Sequence, residues 1–153
     1  MKVSLLEGPV LDYWVARARG LVHTRPPGAV TPAGFVSPWT TVAWKAYWPS
    51  IDWAEAGPIM EQENIAWAPA HGGYAAVKWF YSGPCRSWVR GREQHSDKSP
   101  LIAAMRCYVA SKFGEEVPEI EATAAAKEET ARPWPTLLQG YGKSEAAFAG
   151  VER

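Results

Sequence analysis

Cysteine is scarce in this chain, with only Cys85 and Cys107 present. Two cysteines cannot build a disulfide framework, and a reducing compartment suits them better. No apolar run reaches the roughly 18 residues of a membrane-spanning helix. Met1 to Gly8 holds one Lys and no apolar block of about seven, so no secretory signal is expected there. Metal-ligand spacing is also missing. There is no CxxC or HxxxH, and His71, Cys85, His95 and Cys107 are irregularly spaced, so neither a metal nor a cofactor is expected. Nucleophilic catalysis needs Ser, Cys or Thr beside a base. No GxSxG, triad spacing or phosphate-cradling Gly loop supplies that arrangement. An enzyme therefore ranks third among the readings. A concave pocket around Asp52 holding a strongly perturbed carboxylate would revive it.

Net charge is zero, with 16 basic and 16 acidic residues, but the two signs are unevenly placed. Residues 1–114 carry 12 Lys and Arg against 8 Asp and Glu, while residues 115–153 carry 4 against 8. A mildly basic body with an acidic tail can bind an anionic partner, or mask that face with its own tail. An uneven but merely soluble surface gives the same count.

Tryptophan is what the chain has in excess, at nine residues. Each indole buries roughly 150–250 Å², more than one small core can take up nine times. Some rings must lie partly exposed, where Trp serves interfaces or stacks on bases. A homodimer would also use such surplus rings.

Along the chain, Ser4-Leu5-Leu6-Glu7 matches a capping box and predicts a helix from about residue 5 or 9 to Arg19, stopped by Gly20. Leu11, Trp14, Val15 and Ala18 make its inward stripe, with Tyr13 and Arg17 opposite. Residues 25–41, rich in Pro, read as a loop or long hairpin connection between strands at 21–24 and 41–48. Ser50 is the expected cap of a second helix. Its inward face is Trp53, Ala56, Gly57 and Met60, with a kink or break at Pro58. Ile65 to Ala68 and Tyr74 to Tyr81 read as a hairpin around His71-Gly72-Gly73. Residues 82–98 look like an exposed basic loop. Ser99-Pro100 opens a third helix ended by Gly114, with Leu101, Ile102, Met105, Tyr108, Val109 and Phe113 as its apolar stripe and Cys107 semi-buried.

These elements predict an α+β domain over residues 1–117: an antiparallel sheet of about four strands with three helices over its faces, α-β-α sandwich-like. Residues 118–153 form an acidic, partly disordered tail that can dock through Trp134, Leu137, Leu138, Tyr141 and Phe148. Glu61 and Glu63 flank a helix end and read as solvated. Asp52 favours the helix dipole from the first turn.

Two surfaces are candidates for binding. One is Tyr13 with Arg17 and Arg19 on the outer face of the first helix, which is equally what a solvated face looks like. The other sets Trp79 and Trp88 among Arg86, Arg90 and Arg92, where Arg pairs with phosphate and Trp stacks on a base. The alternative there is indoles packed in the sheet beside charges that solubilise a loop.

Three blocks then occur in order: Leu11-Asp12-Tyr13-Trp14-Val15-Ala16-Arg17-Ala18; Pro49-Ser50-Ile51-Asp52-Trp53-Ala54 with Gly57-Pro58-Ile59-Met60-Glu61; and Pro100-Leu101-Ile102-Ala103-Ala104-Met105-Arg106. Together they resemble the NinX-like family of phage accessory proteins and, more distantly, small phage domains described as α-β-α sandwiches. The resemblance covers most of residues 3–117. It leaves out the 25–41 segment and the tail, and Ile51 stands where the family pattern usually shows Thr. It implies a phage or prophage protein acting in the bacterial cytoplasm, without a settled activity. Asp12, Tyr13, Arg17 and Asp52 are the polar members of the blocks that structure explains least, and so join the candidates. The expected function is a non-enzymatic binding protein used in counter-defence or host takeover. Its partner would be a host protein or a small anionic ligand such as a signalling nucleotide, with nucleic acid as the alternative.

Overall fold

The computed structural model describes residues 1–120. Trp134 and the rest of the predicted tail contacts lie outside the described residues. Three helices, α1 (Gly8–Ala18), α2 (Trp53–Gln62) and α3 (Pro100–Phe113), accompany six short and long strands. The strands are β1 (Thr24–Arg25), β2 (Thr41–Val42), β3 (Lys45–Ala46), β4 (Ile65–Ala70), β5 (Gly73–Ser82) and β6 (Ser87–Asp97). The fold is α+β and all pairing is antiparallel, as the sequence predicts. The strands divide into two sheets of three, β1-β2-β3 and β4-β5-β6, instead of one sheet of about four.

Helix α3 is the centre of the molecule. Ser99 caps it, accepting the Ile102 N–H, Pro100 takes its first turn, and Gly114 ends it at φ 85°. Residues 103–110 are buried without interruption, Cys107 completely so. A helix facing solvent cannot bury eight consecutive residues, because they go round all its sides. The cause is placement: α3 packs against the β4-β5-β6 sheet, against α1 and against α2. The predicted one-sided stripe is therefore too narrow. Leu6, Leu11, Val15, Ile59, Met105 and Val109 fill the core around it.

In the large sheet, Ile65, Ala76 and His95 are buried, and this is the face under α3. On the opposite face Ala66 and Ala68 are exposed and Ala75 and Val77 half-buried. Helix α3 packs on the buried face, and the opposite face is largely open, with the end of α2 reaching its edge near Ala66 and Trp79.

Several local expectations change. Val3–Leu5 is a 3₁₀ turn, and Glu7 at the start of α1 makes no capping bond. Its carboxylate reaches Arg106 at 3.2 Å, so the capping box is not formed. The expected strand at 41–48 is a hairpin, because Ala43 and Trp44 adopt φ of 49° and 66° and turn the chain between β2 and β3. Of the expected 21–24 strand only Thr24 pairs, together with Arg25 beyond it. The loop at 82–98 is mostly β6, paired with β5 from Tyr74 to Ser82. Helix α2 runs through Pro58 without a break, since only the Ala54 carbonyl loses its donor. Trp53 is 49% exposed and leans on Trp67, leaving Ala56, Ile59 and Met60 as the inward face.

Candidate functional site

The sequence candidates separate into two groups. Asp12 is buried in α1, where Oδ1 accepts the Ser50 N–H at 2.8 Å and Oδ2 the Ser50 hydroxyl at 3.1 Å. Burial pushes its carboxyl up to about 7, against the lowering effect of the two Ser50 bonds, and Glu55 nearby adds to the rise. Ser50 therefore serves Asp12 and does not cap α2. The cap is Asp52, whose Oδ1 accepts the Ala54 N–H at 2.9 Å. Tyr13 is half-buried with its ring edge-on to Trp14, and Arg17 is exposed further along α1. Asp12 and Asp52 thus hold local structure in place, while Tyr13 packs at the edge of the core and Arg17 faces solvent.

Two polar clusters are also structural. Glu63 bridges Lys78 and, at 2.8 Å, Lys112, so it is not the freely solvated partner of Glu61. Burial would raise its carboxyl, but the hydrogen bonds from Lys112 and Lys78 outweigh that and hold it low. Arg106, 4% exposed, gives Nε to the Leu6 carbonyl, Nη1 to Ser96 O and Asp97 Oδ2, and Nη2 to Glu7. Among the described residues no three His, Cys, Asp or Glu side chains are grouped as metal ligands would be. Nor is any described helix long and apolar enough to cross a membrane.

The second group comes together. Trp79, Arg86, Trp88, Arg90 and Arg92 all lie on the β5–β6 hairpin, which extends as an arm past the start of β4 at Ile65. Directly opposed residues of an antiparallel pair share a face. Trp79 opposes Arg90 and Tyr81 opposes Trp88, so these four lie on one side, while Phe80 and Val89 lie on the other. Tyr81 and Trp88 meet edge-on with centroids 5.9 Å apart. Phe80, Tyr81 and Trp88 are 50, 57 and 55% exposed, far from the burial such rings usually reach.

At the base of the arm the register shifts. Between the pairs Val77–Gln94 and Trp79–Arg90, β5 has Lys78 alone while β6 has Gly91, Arg92 and Glu93. Such a bulge bends the strand and re-aims its side chains. The Arg90 guanidinium donates to the Gln94 side-chain oxygen across it. Trp79, Arg90 and Gln94 share an open cleft with Ala66, Ala68, Ala75 and Val77. Trp79 and Trp88 also line a second one with Met60, Glu61 and Asn64.

Charge completes the surface. From Asn64 to Arg92 the chain contains no Asp or Glu, while it carries Lys78 and all three arm arginines. Residues 2–112 match the family described as bacteriophage P22, NinX. The chain belongs to that family. The NinX match takes in α1, α2, both sheets, the arm and α3 up to Lys112. No curated protein matches the chain.

Sequence reasoning named the arm's Trp and Arg residues but missed Phe80 and Tyr81. The signal was present, as period-2 alternation continues from β5 into Trp79 and Tyr81 and resumes at Trp88 and Arg90. Gly83-Pro84 and Gly91 disguised it as a loop.

Proposed function

We propose that this NinX-family protein is a phage accessory factor that binds and does not catalyse, acting in the host cytoplasm and holding an anionic partner on the arm. One observation carries the reading: arginines and half-exposed aromatic rings share the projecting arm at residues 79–92, which contains no Asp or Glu. Exposed rings cost solvation unless something covers them, and a cationic surround selects what does. The clefts there are open, which favours an extended partner over a small enclosed one such as a signalling nucleotide. The uncovered Ala66, Ala68, Ala75 and Val77 surface favours a second reading, an apolar patch of a host protein seated there with acidic groups over the arginines. Either partner fits a role in counter-defence or host takeover.

Retention on a heparin column tests the anionic reading. Wild-type protein is expected to elute at clearly higher salt than the R86E/R90E/R92E variant, with both melting at the same temperature. Equal elution would overturn the reading.

A further inference from the structure

We infer that the arm binds single-stranded nucleic acid, with bases stacked on Trp79, Tyr81 and Trp88 and phosphates paired with Arg86, Arg90 and Arg92. This rests on the anionic-partner reading and narrows it to one ligand class. Three features point to bases and not to phosphate alone.

The rings come first. A duplex hides the flat faces of its bases inside the stack, so a duplex-binding surface needs cations and donors but gains little from exposed indoles. Single strands offer those faces, and proteins meet them with aromatic side chains on a sheet beside a basic track. Trp79, Tyr81 and Trp88 occupy one face of two adjacent strands, two residues apart along each strand from its next member or from Arg90. A strand rises about 3.3 Å per residue, so side chains two apart on one face lie about 6–7 Å from each other, a spacing an extended single strand can follow.

The floor comes second. Beside Trp79 the sheet carries Ala66, Ala68, Ala75 and Val77, whose short side chains leave an open cleft, bordered also by Trp67, where planar groups can lie flat. Large side chains there would block that approach.

The charges come third, and they give the track a direction. Arg90 stands in the same cleft as Trp79, and its exposed guanidinium donates to the Gln94 oxygen, which orients it beside that ring. On the other side Trp79 and Trp88 share their cleft with Glu61, a carboxylate that repels phosphate. The backbone of the strand is thus placed along the Arg90 side, with bases turned toward the indoles.

The test is fluorescence anisotropy on the full chain with a labelled oligonucleotide of about 12 nucleotides as DNA, as RNA and as the matching duplex. Expected are single-strand binding roughly tenfold tighter than duplex binding, and a roughly tenfold loss in W88A. Trp88 is mostly exposed, so W88A should melt as wild type does. W88F, which keeps a ring, should retain most of the affinity. R90Q should flatten the dependence of log K on log salt by about 0.7, the share of one single-strand phosphate. Equal affinity for duplex, or unchanged binding in W88A, would overturn the proposal. If heparin retention depends on the arginines but no oligonucleotide binds, the anionic reading stands and this proposal fails. If retention is also absent, both fail.

Discussion

Asp12 on α1 holds Ser50, 38 positions later, by both its backbone N–H and its hydroxyl, in a site from which water is nearly excluded. The pair fixes the segment that leads into α2 against the first helix. It also makes folding sensitive to pH in an unusual direction. The folded carboxyl sits at about 7 against an ordinary value of 3.8. Its favourable contribution is fully present below the unfolded value and is lost as pH rises through about 7.

Asp12→Asn is expected to keep both contacts, its oxygen accepting the Ser50 N–H and its amide donating to Oγ, without a charge to bury. Relative to wild type, D12N should gain about 3 kcal/mol between about pH 5 and about pH 8. Urea denaturation of both proteins at the two pH values measures this. A pH-independent difference would show that Asp12 does not titrate in that window.

The division of labour between Ser50 and Asp52 gives a second expectation. Asp52→Ala removes the α2 cap and should cost about 1 kcal/mol, additively with D12N. Ser50→Ala removes a hydroxyl that only Asp12 uses, so S50A and D12N should couple in a double-mutant cycle. If D52A couples to D12N and S50A does not, the assignment of roles is reversed.

Arg106 joins the chain start, the end of β6 and α3 through its four contacts. Arg106→Ala strands the Leu6 and Ser96 carbonyls and should cost about 3 kcal/mol. Lys should rescue little, because a single ammonium cannot span Leu6, Asp97 and Glu7 together. A loss below about 1 kcal/mol in denaturant unfolding would contradict this.

Ala43 sits at φ 49° in a two-residue turn that usually takes Asn or Gly. Ala43→Asn leaves the Trp44 ring and its stacked Arg25 in place, 4.1 Å from centroid to guanidinium carbon, while easing the backbone. A stabilisation of about 1 kcal/mol, or about 3 °C in Tm, is expected by thermal melting. An unchanged or lowered Tm would mean the turn carries no strain.

What was legible in the sequence was local. Ser99-Pro100 and Gly114 bracket α3, Gly20 follows the last turn of α1, and alternation around His71-Gly72-Gly73 yields the β4–β5 hairpin, because each signal acts within a few residues. The family blocks were legible for the same reason. The two structural clusters were not. Asp12 reads as a spare polar residue until Ser50 arrives from 38 positions away, and Arg106 as an ordinary helix cation until Leu6 does from 100. Trp53 shows the same limit, since helical spacing gives a stripe but not which side of it meets the core.

The sequence alone thus determined which segments are helices, where α3 begins and ends, and that tryptophan exceeds what one core can hold. Tertiary structure decided which tryptophans stay outside and what stands beside them. Periodicity is a property of neighbouring residues. The face that is buried, and the strand register that sets Trp79 against Arg90 and Tyr81 against Trp88, depend on elements the chain brings together only on folding.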